Sequence, residues 1–301
     1  MKVLITGATG LIGTKLTNVL LEKGISVNFL TTSSLKITDQ NKLQGYFWNP
    51  SEGKIDLNSL IGVDVIIHLA GASISKRWTK SYKQEIIESR VHSSNLLFNS
   101  LKKHPHQVKH ILVASGTAIY PDNPTTVYTE ASTEIALGFL SNVVIKWEES
   151  ADQFELLNLK VTKIRTGIVF AKEGGALQEM LKPIQLGLGA AAGSGKQKMS
   201  WIHLTDLANF YLFILQNELE GTFNAVAPET ISNEELTSML AKLIHKPLFL
   251  PHIPRFVLQL ILGDMCELLF SDKLISSQKG IANGFKFEFP KVKEALEELL
   301  K

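Results

Sequence analysis

Three glycines near the start of the chain have the spacing of a phosphate-binding turn. Gly7, Gly10 and Gly13 follow the aliphatic run Lys2–Thr6 and precede residues with helical periodicity. In such a turn one glycine permits the bend, one lets backbone N–H groups approach a pyrophosphate, and one lets helix and strand pack closely. The helix N-terminus adds partial positive charge. Because both flanking elements are present, the pattern predicts a dinucleotide site rather than a merely structural turn.

The choice of dinucleotide depends on the end of the second predicted strand. An NAD site places an acidic residue there, about 20 residues past the glycines, to hold the ribose 2′-OH. Here the sequence is Thr31-Thr32-Ser33-Ser34, with Lys36 just beyond and no carboxylate. Small hydroxyl groups and a nearby cation suit a 2′-phosphate, so we expect NADP(H) in preference to NAD(H).

Other predicted cofactor contacts lie where later strands end. Ala70-Gly71-Ala72 closes a buried strand, and such small residues let an adenine or ribose lie against the strand end or simply allow tight packing. Arg90 is a candidate phosphate ligand, or else a partner of Glu85 or Glu88. The complete predicted cofactor set is Gly7, Thr9, Gly10, Leu11, Ile12, Gly13, Thr32, Ser33, Leu69, Ala70, Gly71, Arg90 and Arg165.

Hydroxyl groups follow a further strand, which ends at Ser115. Ser115 and Thr117 end this strand opposite the glycine turn, so we expect them to touch a ligand. Tyr120 lies three residues further on and either faces the same crevice or serves as a packing lid. No zinc-like spacing and no second phosphate-binding loop occurs, so no metal site is predicted.

The elements that position these residues alternate between strand and helix over about 170 residues. This order is typical of an α/β fold, a Rossmann-type doubly wound parallel sheet whose ligands bind at the carboxyl ends of the strands. The composition changes after residue 228, which predicts a dinucleotide-binding domain over 1–228 and a small C-terminal α+β lobe over 229–301 that contributes to the substrate site. The predicted strands cover 2–6, 25–31, 64–71, 110–115, 160–165, 222–227 and 284–289, the helices 14–22, 80–103, 138–157, 233–244, 256–270 and 291–300, and the loops 121–130 and 187–198, the latter mobile.

Composition narrows the class of protein. The chain has 301 residues, 45% hydrophobic and 20% charged, with a net charge of +2. These values are typical of a globular protein, and the small net charge does not indicate binding to nucleic acid or to an anionic membrane. No apolar run approaches the length of a membrane span. The single cysteine, Cys266, excludes an internal disulfide and fits a reducing compartment, so we expect a cytoplasmic protein.

Several of these motifs together resemble the extended short-chain dehydrogenase/reductase superfamily. Beside the glycine turn and Leu69-Ala-Gly71, the sequence contains Trp147-Glu148, Ser200-Trp-Ile-His203 and Gly284-Phe-Lys-Phe287. This combination resembles the nucleoside-diphosphate-sugar-epimerase-like branch, the NAD-dependent epimerase/dehydratase proteins with a short C-terminal domain of unknown function. The resemblance implies NADP(H) binding and a C-terminal lobe that closes over a small-molecule substrate.

The resemblance also implies a catalytic site from which this sequence departs. In the superfamily a Ser or Thr, here Thr117, contacts the substrate, and a Tyr-x-x-x-Lys pair on the next helix supplies the proton. No tyrosine here has a lysine four residues on, and the expected pair falls near Leu140 and Val144. Substitutes for the missing acid are Tyr120, Lys146 or a His203 held by Asp206, each with a structural alternative.

Two hypotheses of function follow. The first is an NADP(H)-dependent oxidoreductase or epimerase that acts on a small carbonyl compound or a nucleotide-linked sugar by hydride transfer, with Thr117, Tyr120 and Ser115 as catalytic residues. The second is a non-catalytic NADP(H)-binding redox sensor or scaffold, which explains an intact glycine turn beside a missing Tyr/Lys pair. No residue pattern encodes the substrate.

Overall fold

A nine-stranded sheet forms the centre of the molecule. The computed structural model describes residues 1–301. The strands are β1 (Lys2–Thr6), β2 (Ser26–Thr31), β3 (Asp39–Gln40), β4 (Leu43–Asn49), β5 (Lys54–Ile55), β6 (Val65–His68), β7 (His110–Gly116), β8 (Asn123–Tyr128), β9 (Lys160–Thr166), β10 (Ile168–Phe170), β11 (Lys198–Met199), β12 (Trp201–His203), β13 (Gly221–Ala225), β14 (Ile231–Ser232) and β15 (Lys273–Ile275). The helices are α1 (Leu11–Glu22), α2 (Lys80–Lys103), α3 (Phe139–Asp152), α4 (Gly175–Gln185), α5 (Leu204–Gln216), α6 (Asn233–Leu243), α7 (Arg255–Leu262), α8 (Glu267–Phe270), α9 (Gln278–Ala282) and α10 (Val292–Leu299).

The strand order is β13-β9-β7-β6-β1-β2-β4-β3, and β5 also pairs with β4. Strands β3 and β5 run antiparallel to β4, whereas all other neighbours are parallel. The chain leaves β1 toward β2 and β4, then returns to the other side of β1 with β6. The order therefore reverses between β1 and β6, and this switch point is where doubly wound sheets bind ligands.

Both faces of the sheet are covered, as the aliphatic strands predict. Side chains alternate between the faces, so Val3 and Ile5 join one core cluster with α1 and α5, whereas Leu4 joins another with α2 and α3. Full burial of such a side chain stabilises the fold by about 1.5–3 kcal/mol. The α/β Rossmann fold predicted from the sequence is confirmed.

A third core cluster lies beyond the carboxyl edge of the sheet. It joins Phe170, Leu177 and Trp201 from the middle of the chain to Leu236 and Leu296 near its end. Helices α4, α6 and α10 therefore share one core. The capping box at Ser232, whose side chain accepts from the Glu235 backbone N–H, fixes the start of α6.

Three local predictions were wrong. The segment 121–130 was expected to be a loop, but it contains β8, which pairs with β15. The segment 284–289 was expected to be a strand, but it has no strand partner. The apolar helix expected over 256–270 is interrupted at Gly263, whose φ of 61° belongs to the left-handed region that favours glycine.

The glycine-rich segment 187–198, expected to be mobile, is held by specific hydrogen bonds. The Ala192 N–H donates to Asn233 Oδ1 at 2.8 Å, and Gln197 Nε2 donates to the carbonyls of Ala192 and Leu269. Asn233 lies on α6 and Leu269 on α8, so the segment packs against the C-terminal part of the chain. None of the helices combines the length and the apolar character that a bilayer span requires.

Candidate functional site

The glycine turn forms a tight cradle between β1 and α1. Gly7 has a φ of +73°, and a Cβ on it would meet the backbone of Leu69 at 3.0 Å. A Cβ on Gly13 would lie only 2.2 Å from the Gly7 carbonyl oxygen, whereas one on Gly10 would meet that oxygen alone, at 3.3 Å. The close packing of the turn against the start of α1 and the end of β6 is therefore possible because Gly7 and Gly13 lack side chains.

The N-terminus of α1 opens into this cradle without a protein partner. The N-cap, Gly10, makes no side-chain cap hydrogen bond, and the first turn contains no acidic residue. The N–H groups of Leu11, Ile12 and Gly13 have no intrahelical acceptor because they occupy the first turn. Together with the positive end of the helix dipole they suit an anion such as a pyrophosphate.

The opposite wall of the cradle is the end of β6, and Thr6 holds it. The backbone N–H groups of Leu69 and Ala70 donate to Thr6 Oγ1 at 3.2 and 3.1 Å. The Thr6 hydroxyl hydrogen is then left to donate to His68 Nδ1 at 2.6 Å, and His68 Nε2–H donates to Ser93 Oγ at 3.2 Å. His68 is a satisfied core histidine, and burial followed by the charge of Arg90 lowers its pKa to about 3.

Arg90 lies behind this wall and pairs with neither of the expected glutamates. Its Nη1 donates to the carbonyls of Ala72 and Ile86, at 3.1 and 2.8 Å, and its guanidinium lies 4.6 Å from the centre of the Trp147 ring. A Cβ on Gly71 would meet this guanidinium at 2.9 Å. Burial lowers the Arg90 pKa to about 10, and no carboxylate compensates its charge. The cation therefore adds positive potential directly beneath the predicted cofactor site.

The end of β2 carries no carboxylate. Thr31 is buried, and its hydroxyl accepts from the Ser33 N–H at 3.2 Å. The side chains of Thr32, Ser34 and Lys36 are exposed on the turn that follows. Their exposure leaves hydroxyl groups and one ammonium group available at the position where a ribose-binding acid stands in NAD sites.

At the end of β7, Thr117 is half-buried and its hydroxyl lies 3.4 Å from the Thr166 carbonyl, a long hydrogen bond. Leu140 and Val144, near which the resemblance predicts the Tyr-x-x-x-Lys pair, lie on α3 beside it. Val144 is buried, and its Cγ2 would lie 3.4 Å from a Cβ on Gly116. Leu140 packs with Trp78 and Phe139. This part of α3 therefore presents apolar side chains beside Thr117.

Ser115, Tyr120 and Arg165 do not project freely into the crevice, contrary to expectation. They form one buried network with two residues that the sequence analysis did not select, Glu148 and Asn224. Arg165 donates to both oxygens of Glu148 at 2.8 Å, Ser115 Oγ donates to Glu148 Oε1 at 2.6 Å, and Tyr120 Oη donates to Asn224 Oδ1 at 2.8 Å. Arg165 Nη1 donates to Tyr120 Oη at 2.9 Å. Every polar group of the network has a partner, so its evident role is to tie α3 to β7, β9 and β13.

The network fixes its own charge states. Burial raises the pKa of Tyr120, an effect that Arg165 only partly offsets, so the phenol is neutral. Burial opposes ionisation of Glu148, but the hydrogen bonds and charge of Arg165 outweigh it and hold the pKa of Glu148 below its usual range. Glu148 sits in the Trp147-Glu148 motif, and a glutamate on an apolar helix face is the signal that would have identified it.

The other substitutes considered for the missing acid lie away from the crevice. Lys146 is exposed and lines a polar groove of about 440 Å³ between α2 and α3. His203 is not held by Asp206: its Nε2 lies 3.1 Å from Glu298 Oε2, and its Nδ1 accepts from the Thr205 N–H. Asp206 instead accepts the backbone N–H groups of Glu288 and Phe289. Both side chains are structural.

Sequence comparisons agree with this geometry. Residues 3–142 match the profile of the NAD dependent epimerase/dehydratase family, and residues 253–299 match a domain of unknown function, DUF1731. An epimerase family protein of Staphylococcus aureus is 37% identical over 301 residues, covering 99% of this chain and 98% of the relative. One from Staphylococcus saprophyticus is 35% identical over 298 residues, again covering 99% and 98%.

Solved structures share the whole fold. The human epimerase family protein SDR39U1, crystallised with NADPH, superposes with a TM-score of 0.86 at 30% identity, covering 100% of this chain and 99% of the human one. MoeE5 in complex with UDP-glucuronic acid and NAD superposes with a TM-score of 0.79 at 20% identity, covering 98% and 96%. The latter likeness supports the fold alone.

Proposed function

The chain belongs to the NAD-dependent epimerase/dehydratase family, and we propose that it binds NADP(H) in the Gly7–Gly13 cradle and acts on a small carbonyl or nucleotide-sugar-type substrate. One observation carries the proposal: a glycine turn so tight that a Cβ on Gly13 would overlap the Gly7 and Ala8 backbone, followed by an α1 N-terminus with no capping side chain. The human relative that was crystallised with NADPH has the same fold over its full length.

The preference for NADP(H) rests on two positive features of the cradle. Thr32, Ser33 and Lys36 offer hydroxyl groups and a cation where an NAD site carries an acid. Arg90, buried without a carboxylate partner, contributes positive potential behind Gly71. A 2′-phosphate adds about two negative charges to the ligand, and the absence of any acid at the β2 end avoids repelling it.

NADP(H), when bound in the cradle, would supply hydride chemistry at its nicotinamide. The role of the chain's own residues is to bind and orient the cofactor and the substrate. The backbone N–H groups at the start of α1 would hold the phosphates, and the Leu69–Gly71 wall, fixed by Thr6, would limit where the cofactor lies. At the β7 end, Thr117 is the polar residue whose side chain is only half-buried and whose one hydrogen bond, to the Thr166 carbonyl, is long. We therefore assign Thr117 the contact with the substrate.

We further propose that residues 229–301 form a lid on the substrate side of the crevice. Met265 and Leu268 pack with Trp78 and Phe139 beside the β7 end. Lys83 at the start of α2 donates to Asp264 at 2.6 Å, which ties this segment to the crevice mouth. These contacts exclude water from one side of the site, which suits hydride transfer.

A specific observation favours a second candidate function, a non-catalytic NADP(H) sensor. Leu140 and Val144 stand near where the resemblance predicts the acid pair, and the hydroxyl groups of Tyr120 and Ser115 are bonded within the buried network. Loss of a positioned acid typically costs about 10²–10⁴-fold in rate. Such a protein would bind the cofactor with full affinity and turn it over slowly or not at all.

The test is a titration of the purified chain with NADPH and with NADH, followed by nicotinamide fluorescence. We expect tighter binding of NADPH, and a Thr32→Asp variant should lose most of that preference because its carboxylate repels the 2′-phosphate. Binding of neither nucleotide would contradict the proposal. A screen of carbonyl and sugar-nucleotide substrates then separates the two functions, because only the enzyme oxidises NADPH, and Thr117→Ala should abolish that turnover without weakening NADPH binding.

A further inference from the structure

A group of large apolar side chains on the C-terminal part of the chain is exposed to solvent. Their exposed fractions run from 38% at Leu248 to 79% at Phe249. We call this group the C-terminal apolar surface; its members are Leu186, Leu188, Leu248, Phe249, Leu250, Phe256, Leu260 and Ile261. An exposed apolar patch of this kind marks a site of interaction.

The segments that carry these side chains are adjacent. Ile253 pairs with the 191–193 backbone, because its N–H donates to Ala191 and its carbonyl accepts from Gly193, both at 2.9 Å. A Cβ on Gly189 would lie 2.9 Å from Leu248 Cδ2. The end of α4 and the loop before α7 therefore form one continuous surface, and the prolines at 247, 251 and 254 restrict the loop backbone.

Helix α7 is apolar on nearly every side. Leu258 is buried against Ala192 and Cys266. Phe256 and Leu260, four residues apart and therefore on one face, are exposed by 66% and 78%. A helix that is apolar all round is normally buried. Only one side of α7 is covered by this chain, so the other side lacks a partner of its own.

The segment that carries most of this surface, residues 236–263, has charges of a single sign, although acidic residues lie at its borders: Glu234, which pairs with His252 at 3.6 Å, and Asp264. Between Leu236 and Gly263 the chain carries Lys242, Lys246 and Arg255, with two histidines and no Asp or Glu. All three cations are exposed, and none forms an ion pair. The net charge of +2 for the whole chain conceals this local concentration, because acidic residues elsewhere balance it.

We propose that the C-terminal apolar surface docks on the headgroup region of an anionic lipid bilayer. Exposed Phe, Leu and Ile side chains insert at the boundary between headgroups and acyl chains, and flanking Lys and Arg contact the anionic headgroups. Helix α7 has eight residues, too few to span a bilayer, so it lies in the plane of the interface. The C-terminal lobe would then lie between the crevice and the membrane.

Charge favours a lipid surface over a second copy of this chain. Self-association through a two-fold axis would bring Lys242, Lys246 and Arg255 toward the same three cations of the partner, because such an interface uses the same patch twice. Like charges brought together in this way repel. An anionic bilayer satisfies both the apolar and the cationic parts of the surface.

The test is flotation of the purified full-length chain with phosphatidylcholine vesicles, with and without phosphatidylserine. We expect binding to the anionic vesicles only. Because each cation near such a surface contributes about fivefold in affinity, Lys242→Gln with Lys246→Gln should weaken binding by roughly 25-fold. The variant Phe256→Ser with Leu260→Ser should abolish it. Both variants should bind NADPH as the wild type does.

The matched control is Leu156→Ser, which replaces an equally exposed leucine, 78%, outside the surface and should bind vesicles normally. Several outcomes would overturn the proposal: no wild-type flotation with phosphatidylserine vesicles, equal flotation with neutral vesicles, or unchanged flotation of the Phe256/Leu260 variant. Concentration-dependent dimerisation that this variant abolishes, without vesicle binding, would instead assign the surface to a second copy of the chain.

Discussion

The hydroxyl of Thr6 lies 2.6 Å from Nδ1 of His68, and this contact joins the ends of β1 and β6 at the switch point of the sheet. Because Thr6 Oγ1 also accepts the N–H groups of Leu69 and Ala70, one hydroxyl contacts three polar groups. The wall of the cofactor cradle is therefore built from the same residue that ends the strand before the glycine turn.

Replacement of Thr6 by Val should release this wall. The substitution keeps the shape of the side chain but leaves His68 Nδ1 and the Ala70 N–H unsatisfied, whereas the Leu69 N–H keeps its bond to the Thr6 carbonyl. Each unsatisfied group costs about 1–3 kcal/mol. We expect the free energy of unfolding to fall by at least about 2 kcal/mol and NADPH affinity to fall with it. Denaturant titration and fluorescence titration measure the two effects. Thr6→Ser, which retains the hydroxyl, is the control, and equal behaviour of both variants would show that the contact is unimportant.

Stability should fall as the pH is lowered below about 6.5, the ordinary pKa of histidine. Burial lowers the pKa of His68 to about 3 and that of His110 to about 4. Between pH 6.5 and 4 the unfolded chain therefore binds protons that the folded chain does not, and each histidine reduces stability by up to about 1.4 kcal/mol per pH unit.

The His110→Gln variant isolates one of these contributions. The glutamine amide can donate to Thr162 Oγ1, which His110 Nε2 contacts at 2.8 Å, but it does not titrate. We expect the slope of unfolding free energy against pH between 6.5 and 4 to decrease by about one proton per molecule. Urea denaturation at several pH values gives this slope directly. An unchanged slope in the variant would mean that His110 titrates normally in the fold.

Tyr120→Phe distinguishes a structural tyrosine from a catalytic one. The variant leaves Arg165 Nη1 and Asn224 Oδ1 without their partner, so we expect a loss of about 1–3 kcal/mol in unfolding free energy. NADPH affinity should be nearly unchanged. Tyr128→Phe is a matched control, because Tyr128 stacks on Tyr120 but its hydroxyl makes only a 3.4 Å contact with Glu134. Full stability with abolished turnover in Tyr120→Phe would restore the catalytic assignment.

The elements of the sheet could be predicted because their signals are local. Helix α2 begins and ends where the sequence predicts, at Lys80 and Lys103, since Thr79 caps it and Pro105 prevents its extension. The alternation of Phe285, Phe287 and Phe289 is equally clear, yet it forms no strand. Asp206 binds the backbone N–H groups of that segment, and no sequence pattern reveals such a distant partner.

The same distinction applies to the site. The glycine turn is a local motif, and the structure places Gly7, Gly10 and Gly13 as the motif requires. The orientation of Tyr120 depends on Arg165 and Asn224, which are 45 and 104 residues away in sequence. A hydroxyl at a strand end can face the crevice or the protein interior, and only these distant partners decide between the two.

Two alanine substitutions should separate cofactor binding from folding. Gly13→Ala places a Cβ 2.2 Å from the Gly7 carbonyl oxygen, so the turn must distort, and we expect loss of both stability and NADPH binding. Gly10→Ala meets the same oxygen at 3.3 Å, which small shifts relieve, so stability should change by less than about 1 kcal/mol. Its methyl group still occupies the cradle and should abolish NADPH binding. Normal NADPH affinity in Gly10→Ala would place the phosphates elsewhere.

Asp206 should control the docking of the C-terminal segment. Its two oxygens accept the N–H groups of Glu288 and Phe289 at 2.7 and 3.0 Å, and Phe289 packs against the His203 ring. Asp206→Ala removes both of these part-buried hydrogen bonds, each of which contributes about 0.5–1.5 kcal/mol, so the segment from 284 onward should open before the sheet does. Hydrogen exchange should show faster exchange in α10 with little change in β1 and β6. In Asp206→Asn one acceptor oxygen remains, and the effect should be smaller. Uniform acceleration across the whole chain would mean that this segment and the sheet unfold as a single unit.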